Sequence, residues 1–134
     1  MLNPDPWVEM MGELTPIEEL GGMLFKREDK FAPLGLGGIN GSKCRQRIWV
    51  VQEYIKKGGA GAVIAAASVK SPQLSTAAVI AQHYGLDSLS ISGATNPKSA
   101  FRHDSVRIAS WFGSRFRILK VAYNPALQRG ALDL

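Results

Sequence analysis

Lys43 stands in the run Gly41-Ser42-Lys43-Cys44-Arg45, a few residues after the glycine-rich GLGG of positions 35–38. A lysine amine can form a covalent bond to a carbonyl carbon, provided that burial or a nearby positive charge keeps it partly unprotonated. Arg45 is the cation two residues away. The competing reading is a solvated lysine in the first turn of a helix, where its charge opposes the helix dipole by roughly a few tenths of a kcal/mol. A second cluster, Ser71-Pro72-Gln73, follows the apolar AVIAAA of 62–67. Ser71 and Pro72 read as a helix cap, and free amides at such a helix start can bind a carboxylate. The open question there is whether Gln73 also touches a ligand. Lys26-Arg27-Glu28-Asp29 precedes the glycine loop. Lys26 and Asp29 read as structural residues that place it.

Other chemistries find less support in the residues. GLGG lacks the strand directly before it that a dinucleotide fingerprint requires, because Ala32 and Pro33 interrupt the approach. His83 and His103 have no third ligand nearby in sequence, so no metal site is expected. Cys44 has no second cysteine to pair with, which agrees with a reducing compartment. No apolar run approaches the roughly 20 residues of a membrane span, and MLNPDPWVEMMGEL does not read as a signal peptide. A cytoplasmic protein is the expectation. The net charge of +5 gathers toward the C-terminal end, in Arg102, Arg107, Arg115, Arg117, Lys120 and Arg129. These residues are scattered over several elements without an aromatic ladder, so they read as a solvated face and a nucleic-acid partner is not expected.

The elements that must position Lys43 and Ser71 follow from four dipeptides, Thr15-Pro16, Ser71-Pro72, Asn96-Pro97 and Asn124-Pro125. Each reads as a helix start, with a capping oxygen before a proline that needs no amide hydrogen. At the first, Glu18 completes a capping box and Gly21-Gly22 ends a short helical turn. A further helix is predicted from near Ser42 to Lys57, because Cys44, Ile48, Val51 and Ile55 recur along one face. The helix opened by Ser71 carries Leu74, Ala77, Ala78, Ala81 and Tyr84 as its stripe. The helix after Pro97 is expected to bury Phe101, Val106, Ala109 and Phe112. Between the helices, 23–28, 62–67, 88–92 and 116–123 read as strands. Strict alternation of strand and helix predicts an α/β fold, three-layer, with a mainly parallel sheet flanked by helices, in a single domain over 1–134. Ligands of such sheets bind beyond the carboxyl ends of the strands, where Ser71 and Gln73 fall.

The ordered set KRED at 26–29, GSK at 41–43 with Arg45, and SPQ at 71–73 resembles the N-terminal half of the pyridoxal-phosphate enzymes of the tryptophan synthase β fold. That fold-type II family includes threonine synthases, aminocyclopropane-carboxylate deaminases and D-cysteine desulfhydrases. The resemblance covers residues 14 to 128 and implies pyridoxal 5'-phosphate as cofactor. It implies Lys43 as the catalytic lysine that bonds to the cofactor, and Ser71 and Gln73 as cofactor-binding residues, Gln73 near the phenolic oxygen of the ring. The activity implied is elimination, replacement or deamination on a small amino-acid substrate. The alternative is a non-catalytic remnant or interaction domain with the same α/β core.

Members of that family continue into a second domain that holds the cofactor phosphate on a glycine-rich turn and faces the pyridine nitrogen with a polar residue. Residues 1–134 contain neither. Asn40 stands three residues before Lys43, where the deaminase branch places an asparagine directly before its lysine, and Ser-Pro-Gln replaces that branch's Ser-Asn-Gln. An open strand edge or apolar face is expected where the rest of the sheet would lie, and with it a homo-oligomer or a complementary chain.

Overall fold

The computed structural model describes residues 15–33, 39–121 and 123–133, apart from the Ser42 side chain. The GLGG run and the expected capping role of Ser42 lie outside the described residues. The chain forms two compact units, Met1–Glu53 and Tyr54–Leu134.

In the first unit, β1 (Ile17–Leu20) pairs antiparallel with β2 (Met23–Lys26), Ile17 opposite Lys26 and Leu20 opposite Met23. This corrects two expectations: Thr15-Pro16 does not open a helix, and the 23–28 segment does not join a parallel sheet. Gly21 and Gly22, with φ of 59° and 78°, form a two-residue turn whose twist suits a hairpin. So short a connection permits only antiparallel pairing, and the four residues between Pro16 and Gly21 are too few to nucleate a helix. The hairpin leaves Ile17, Leu20, Met23, Leu24 and Phe25 exposed. A 3-10 turn at Glu28–Lys30 follows, and then α1 (Gly41–Lys56). Cys44, Ile48 and Val51 are buried along α1 and Ile55 is half-buried, which is the stripe the spacing predicts.

The second unit is a parallel three-stranded sheet with β4 (Asp87–Gly93) in the centre, β3 (Ala62–Ala66) on one side and β5 (Arg115–Leu119) on the other. The helices that connect the strands are α2 (Pro72–His83) and the pair α3 (Pro97–Ala100) and α4 (Asp104–Trp111). Both α2 and α4 pack on one face, where Ala65, Ala67, Leu74, Ala77, Ala78, Val106 and Ala109 form the core. The last helix, α5 (Asn124–Leu132), packs against β3 and β4. Gly130 lets it approach from the other face: a Cβ there would stand 3.1 Å from Leu119 Cδ1 and 4.0 Å from Ile91 Cγ2. This is the expected three-layer α/β arrangement, with three strands in the sheet.

Two helices differ in detail from expectation. The segment after Pro97 is not one helix, because Asn96 and Ser99 close a capping box on a single turn and a new helix begins after His103. The break leaves Phe101 exposed, with its ring edge-on to Phe116 at 5.3 Å between centroids. At the last helix Asn124 is the first helical residue, and Tyr123 in the capping position makes no side-chain cap bond. By contrast α2 and α4 end as the sequence suggests. The amides of Gly85 and Leu86 close back on Gln82 and Ala81, and those of Gly113 and Ser114 on Ser110 and Ala109.

The serines of β4 reverse the usual alternation. Ser88, Ser90 and Ser92 are buried on the α2/α4 face. Ser88 Oγ donates to Ser114 Oγ at 3.0 Å, Ser90 Oγ lies 2.8 Å from the same oxygen, and Ser92 Oγ donates to the Ala67 carbonyl at 2.6 Å. Small side chains let the alanine-rich α2 pack closely on the sheet, and these bonds satisfy hydroxyls that burial would otherwise leave without partners.

Candidate functional site

In the first unit the KRED residues brace the approach to α1. Arg27 grips Asp29 through two bonds, Nε to Oδ1 at 2.8 Å and Nη2 to Oδ2 at 2.6 Å, and reaches Glu18 Oε2 at 2.5 Å. Lys30 also pairs with Glu18, and Lys26 with Glu28 at 2.8 Å. The hydrogen bond from Lys30 is the main cause that holds the Glu18 carboxyl below its ordinary value, and that from Arg27 does the same for Asp29. Past the brace, the Gly41 amide donates to the Phe31 carbonyl at 2.8 Å, and Asn40 Nδ2 reaches the Asp29 carbonyl at 3.5 Å. A Cβ on Gly41 would crowd Glu28 Oε2 at 3.3 Å, and its φ of +82° favours glycine there. The first turn of α1 is thereby tied to the 3-10 turn.

Lys43 sits in that first turn, exposed, about 100° around the helix from the buried Cys44. No acidic residue accompanies it in the turn. Burial is therefore not supplied to Lys43 by this unit. Arg45 is not its neighbour either, since residues two apart on a helix do not share a face. The Arg45 guanidinium instead lies 3.7 Å from the centre of the Phe31 ring. Arg47, one turn on, is the cation on the same side as Lys43, and burial lowers its pKa from the ordinary arginine value. Sequence reasoning missed it, although the i,i+4 spacing was legible. Burial also raises the Cys44 thiol, which makes it an inert core group.

In the second unit the β3 strand ends in a tight turn, in which the Ser71 amide donates to the Ser68 carbonyl at 2.9 Å. Ser71 Oγ accepts from the Gln73 amide at 3.2 Å, and the Leu74 amide approaches the Ser71 carbonyl at 3.3 Å. The Ser75 and Thr76 hydroxyls both donate to the Pro72 carbonyl, at 3.0 and 2.7 Å. The cap predicted at Ser71-Pro72 is thus present. The Gln73 amide, which a carboxylate would have needed, is engaged by that cap, while the half-buried Gln73 side chain stands at the carboxyl edge of the sheet.

The structure brings Ser71 and Gln73 together at one helix start. Lys43 belongs to the first unit, on α1. Sequence reasoning did not identify the pocket of about 290 Å³ lined by Ala94, Thr95, Lys120 and Val121, beyond the ends of β4 and β5. Among the described residues no group of His, Cys, Asp and Glu side chains could hold a metal ion, and no helix is long and apolar enough to cross a membrane. His83 is exposed beside Tyr84, with ring centroids 4.8 Å apart, and His103 precedes α4.

No protein-family model matches the chain. A similar curated protein does exist. It belongs to Salmonella phage ViI, is described as an O-seryl-dTMP PLP-dependent decarboxylase, and is 38% identical over 133 residues. The match covers 91% of this chain and 31% of the phage protein, so the chain spans about a third of that relative's length.

Proposed function

We propose that this chain is the lysine-bearing part of a pyridoxal-phosphate-dependent enzyme that acts at the α-carbon of an amino-acid substrate. The observation that carries the reading is the similarity to the phage protein described as PLP-dependent. The residues fit the group chemically: Lys43 offers an exposed primary amine with no acid in its helical turn, and Ser71 and Gln73 offer a hydroxyl and an amide at the carboxyl edge of a parallel sheet. The cofactor, when bound, supplies an electron sink that stabilises negative charge at the substrate α-carbon.

In this reading Lys43 would hold the cofactor covalently and, once released, its Nζ would move a proton to or from the substrate α-carbon. Gln73 would hold the ring through its side-chain amide, with Ser71 keeping Gln73 in place through the cap. Elimination, replacement and deamination are the reactions the family resemblance implies. We favour decarboxylation, because the phage relative is described as a decarboxylase of an O-seryl thymidylate. The substrate proposed for this chain is accordingly an amino acid carried on a nucleotide. The exposed hairpin residues Ile17, Leu24 and Phe25 support self-association or a complementary chain as part of the working protein.

Spectroscopic titration with pyridoxal phosphate tests the assignment. A new visible absorbance band is expected with the wild-type chain and not with Lys43→Ala. An identical spectrum from both would remove Lys43 as the anchor.

A further inference from the structure

Beyond the carboxyl ends of β3, β4 and β5 lie the described residues 67–73, 94–98, 120–121 and 123–124, which carry Lys70, Lys98 and Lys120 and no Asp or Glu. The acid at the start of β4, Asp87, lies at the opposite end of the strands, where it pairs with Arg115 at 3.5 Å. Asp104, at the start of α4, pairs with Arg107 of its own helix at 3.4 Å. The sheet therefore presents a cationic carboxyl edge, and the described residues form a concavity in it. The pocket of about 290 Å³ between the ends of β4 and β5 is lined by Thr95 and Lys120 together with Ala94 and Val121. Its floor is fixed by the Ala94 amide, which donates to the Leu119 carbonyl at 3.0 Å and extends the parallel ladder past the last strand pair. The Thr95 hydroxyl donates to Ser99 Oγ at 3.2 Å, because Ser99 Oγ gives its own hydrogen to the Asn96 carbonyl at 2.8 Å. The Lys120 ammonium is the donor of this lining, and its three N–H groups suit a compact anion with several acceptor oxygens.

We propose that the Thr95–Lys120 pocket binds the phosphate of a nucleotide-linked amino-acid substrate. The proposal rests on the functional reading above and names a subsite for it. Strand ends two places apart in a sheet are separated by about 10 Å. The ends of β3 and β5, Ala66 and Leu119, stand at that spacing, which is comparable to the length of a nucleoside monophosphate. Substrate phosphate held at Lys120 would extend its amino-acid end toward the edge that carries Ser71 and Gln73.

Calorimetric titration of the 134-residue chain, with pyridoxal phosphate left out, tests this with dTMP, thymidine and a short thymidine oligonucleotide as probes. Wild type is expected to bind dTMP more tightly than thymidine. Lys120→Gln should weaken dTMP by about tenfold, the loss of one charge-assisted contact, and Lys120→Arg should restore most of it. Thermal unfolding of each variant confirms that it is folded. Equal affinity for dTMP and thymidine, or an unchanged dTMP affinity in Lys120→Gln, would overturn the proposal. An equal loss in Lys98→Gln would also overturn it, by showing that the charge of the whole edge acts rather than the pocket. If Lys120→Gln weakens the oligonucleotide as well, the phosphate is read within a polynucleotide; if it weakens dTMP alone, the free nucleotide is the ligand. Because no cofactor is present, failure here counts against the pocket, and failure of the Lys43 titration counts against the enzymatic reading.

Discussion

Ser114 is the hub of the buried hydroxyls that tie β4 to the start of β5. It accepts from Ser88 at 3.0 Å, shares a bond with Ser90 at 2.8 Å, and approaches the Arg115 carbonyl at 3.3 Å. Ser88, Ser90 and Ser114 are 6%, 0% and 6% exposed, so water cannot replace a lost partner without opening the face under α2 and α4. Ser114→Ala removes one oxygen and leaves two buried hydroxyls without their partner. At about 1–3 kcal/mol for each unsatisfied group, the expected loss is about 2–6 kcal/mol. The triple variant Ser88→Ala, Ser90→Ala and Ser114→Ala removes every hydroxyl of the group together and leaves nothing unsatisfied. It should therefore be more stable than Ser114→Ala alone, despite carrying more substitutions. Urea unfolding followed by circular dichroism measures both, and similar slopes would show that the same surface is exposed. A triple variant less stable than the single one would show that the hydroxyls contribute independently.

Two further outcomes test the first unit. Glu18 and Asp29 are held below ordinary carboxyl values mainly by Lys30 and Arg27, so their pairing stabilises the hairpin brace above about pH 4 and is lost as the pH falls through the lowered values. NMR titration of the two carboxyls should give midpoints that rise in Arg27→Gln; unmoved midpoints would contradict the brace. Leu24, 75% exposed on the hairpin, should contribute to self-association. Sedimentation should show concentration-dependent association that Leu24→Lys reduces, with stability changed by no more than about 0.5 kcal/mol. A wild-type chain that stays monomeric at every concentration would contradict that reading.

How much was legible in the sequence depended on how local the cause was. Ser71-Pro72 and Asn96-Pro97 announced helix starts because capping involves only neighbouring residues, and the structure contains both caps. The stripe Cys44, Ile48, Val51 likewise placed Lys43 off the buried face of α1. At residues 15–26 two local signals competed. The capping-box pattern Thr15 to Glu18 suggested a helix, and Gly21-Gly22 decided for a hairpin. The extended helix expected after Pro97 failed because Ser99 closes its box on one turn, which freed Phe101 to reach Phe116. The Thr95–Lys120 pocket was not legible at all. It exists because parallel pairing in register sets Gly93 beside Leu119, and that pairing is a property of the folded sheet.

The proposed role of Lys43 as cofactor anchor can be read by borohydride reduction of the chain in the presence of pyridoxal phosphate, followed by mass-spectrometric mapping of the adduct. One modified peptide, carrying Lys43, is expected. Modification spread over exposed lysines such as Lys70 and Lys98, with Lys43 unmodified, would contradict it.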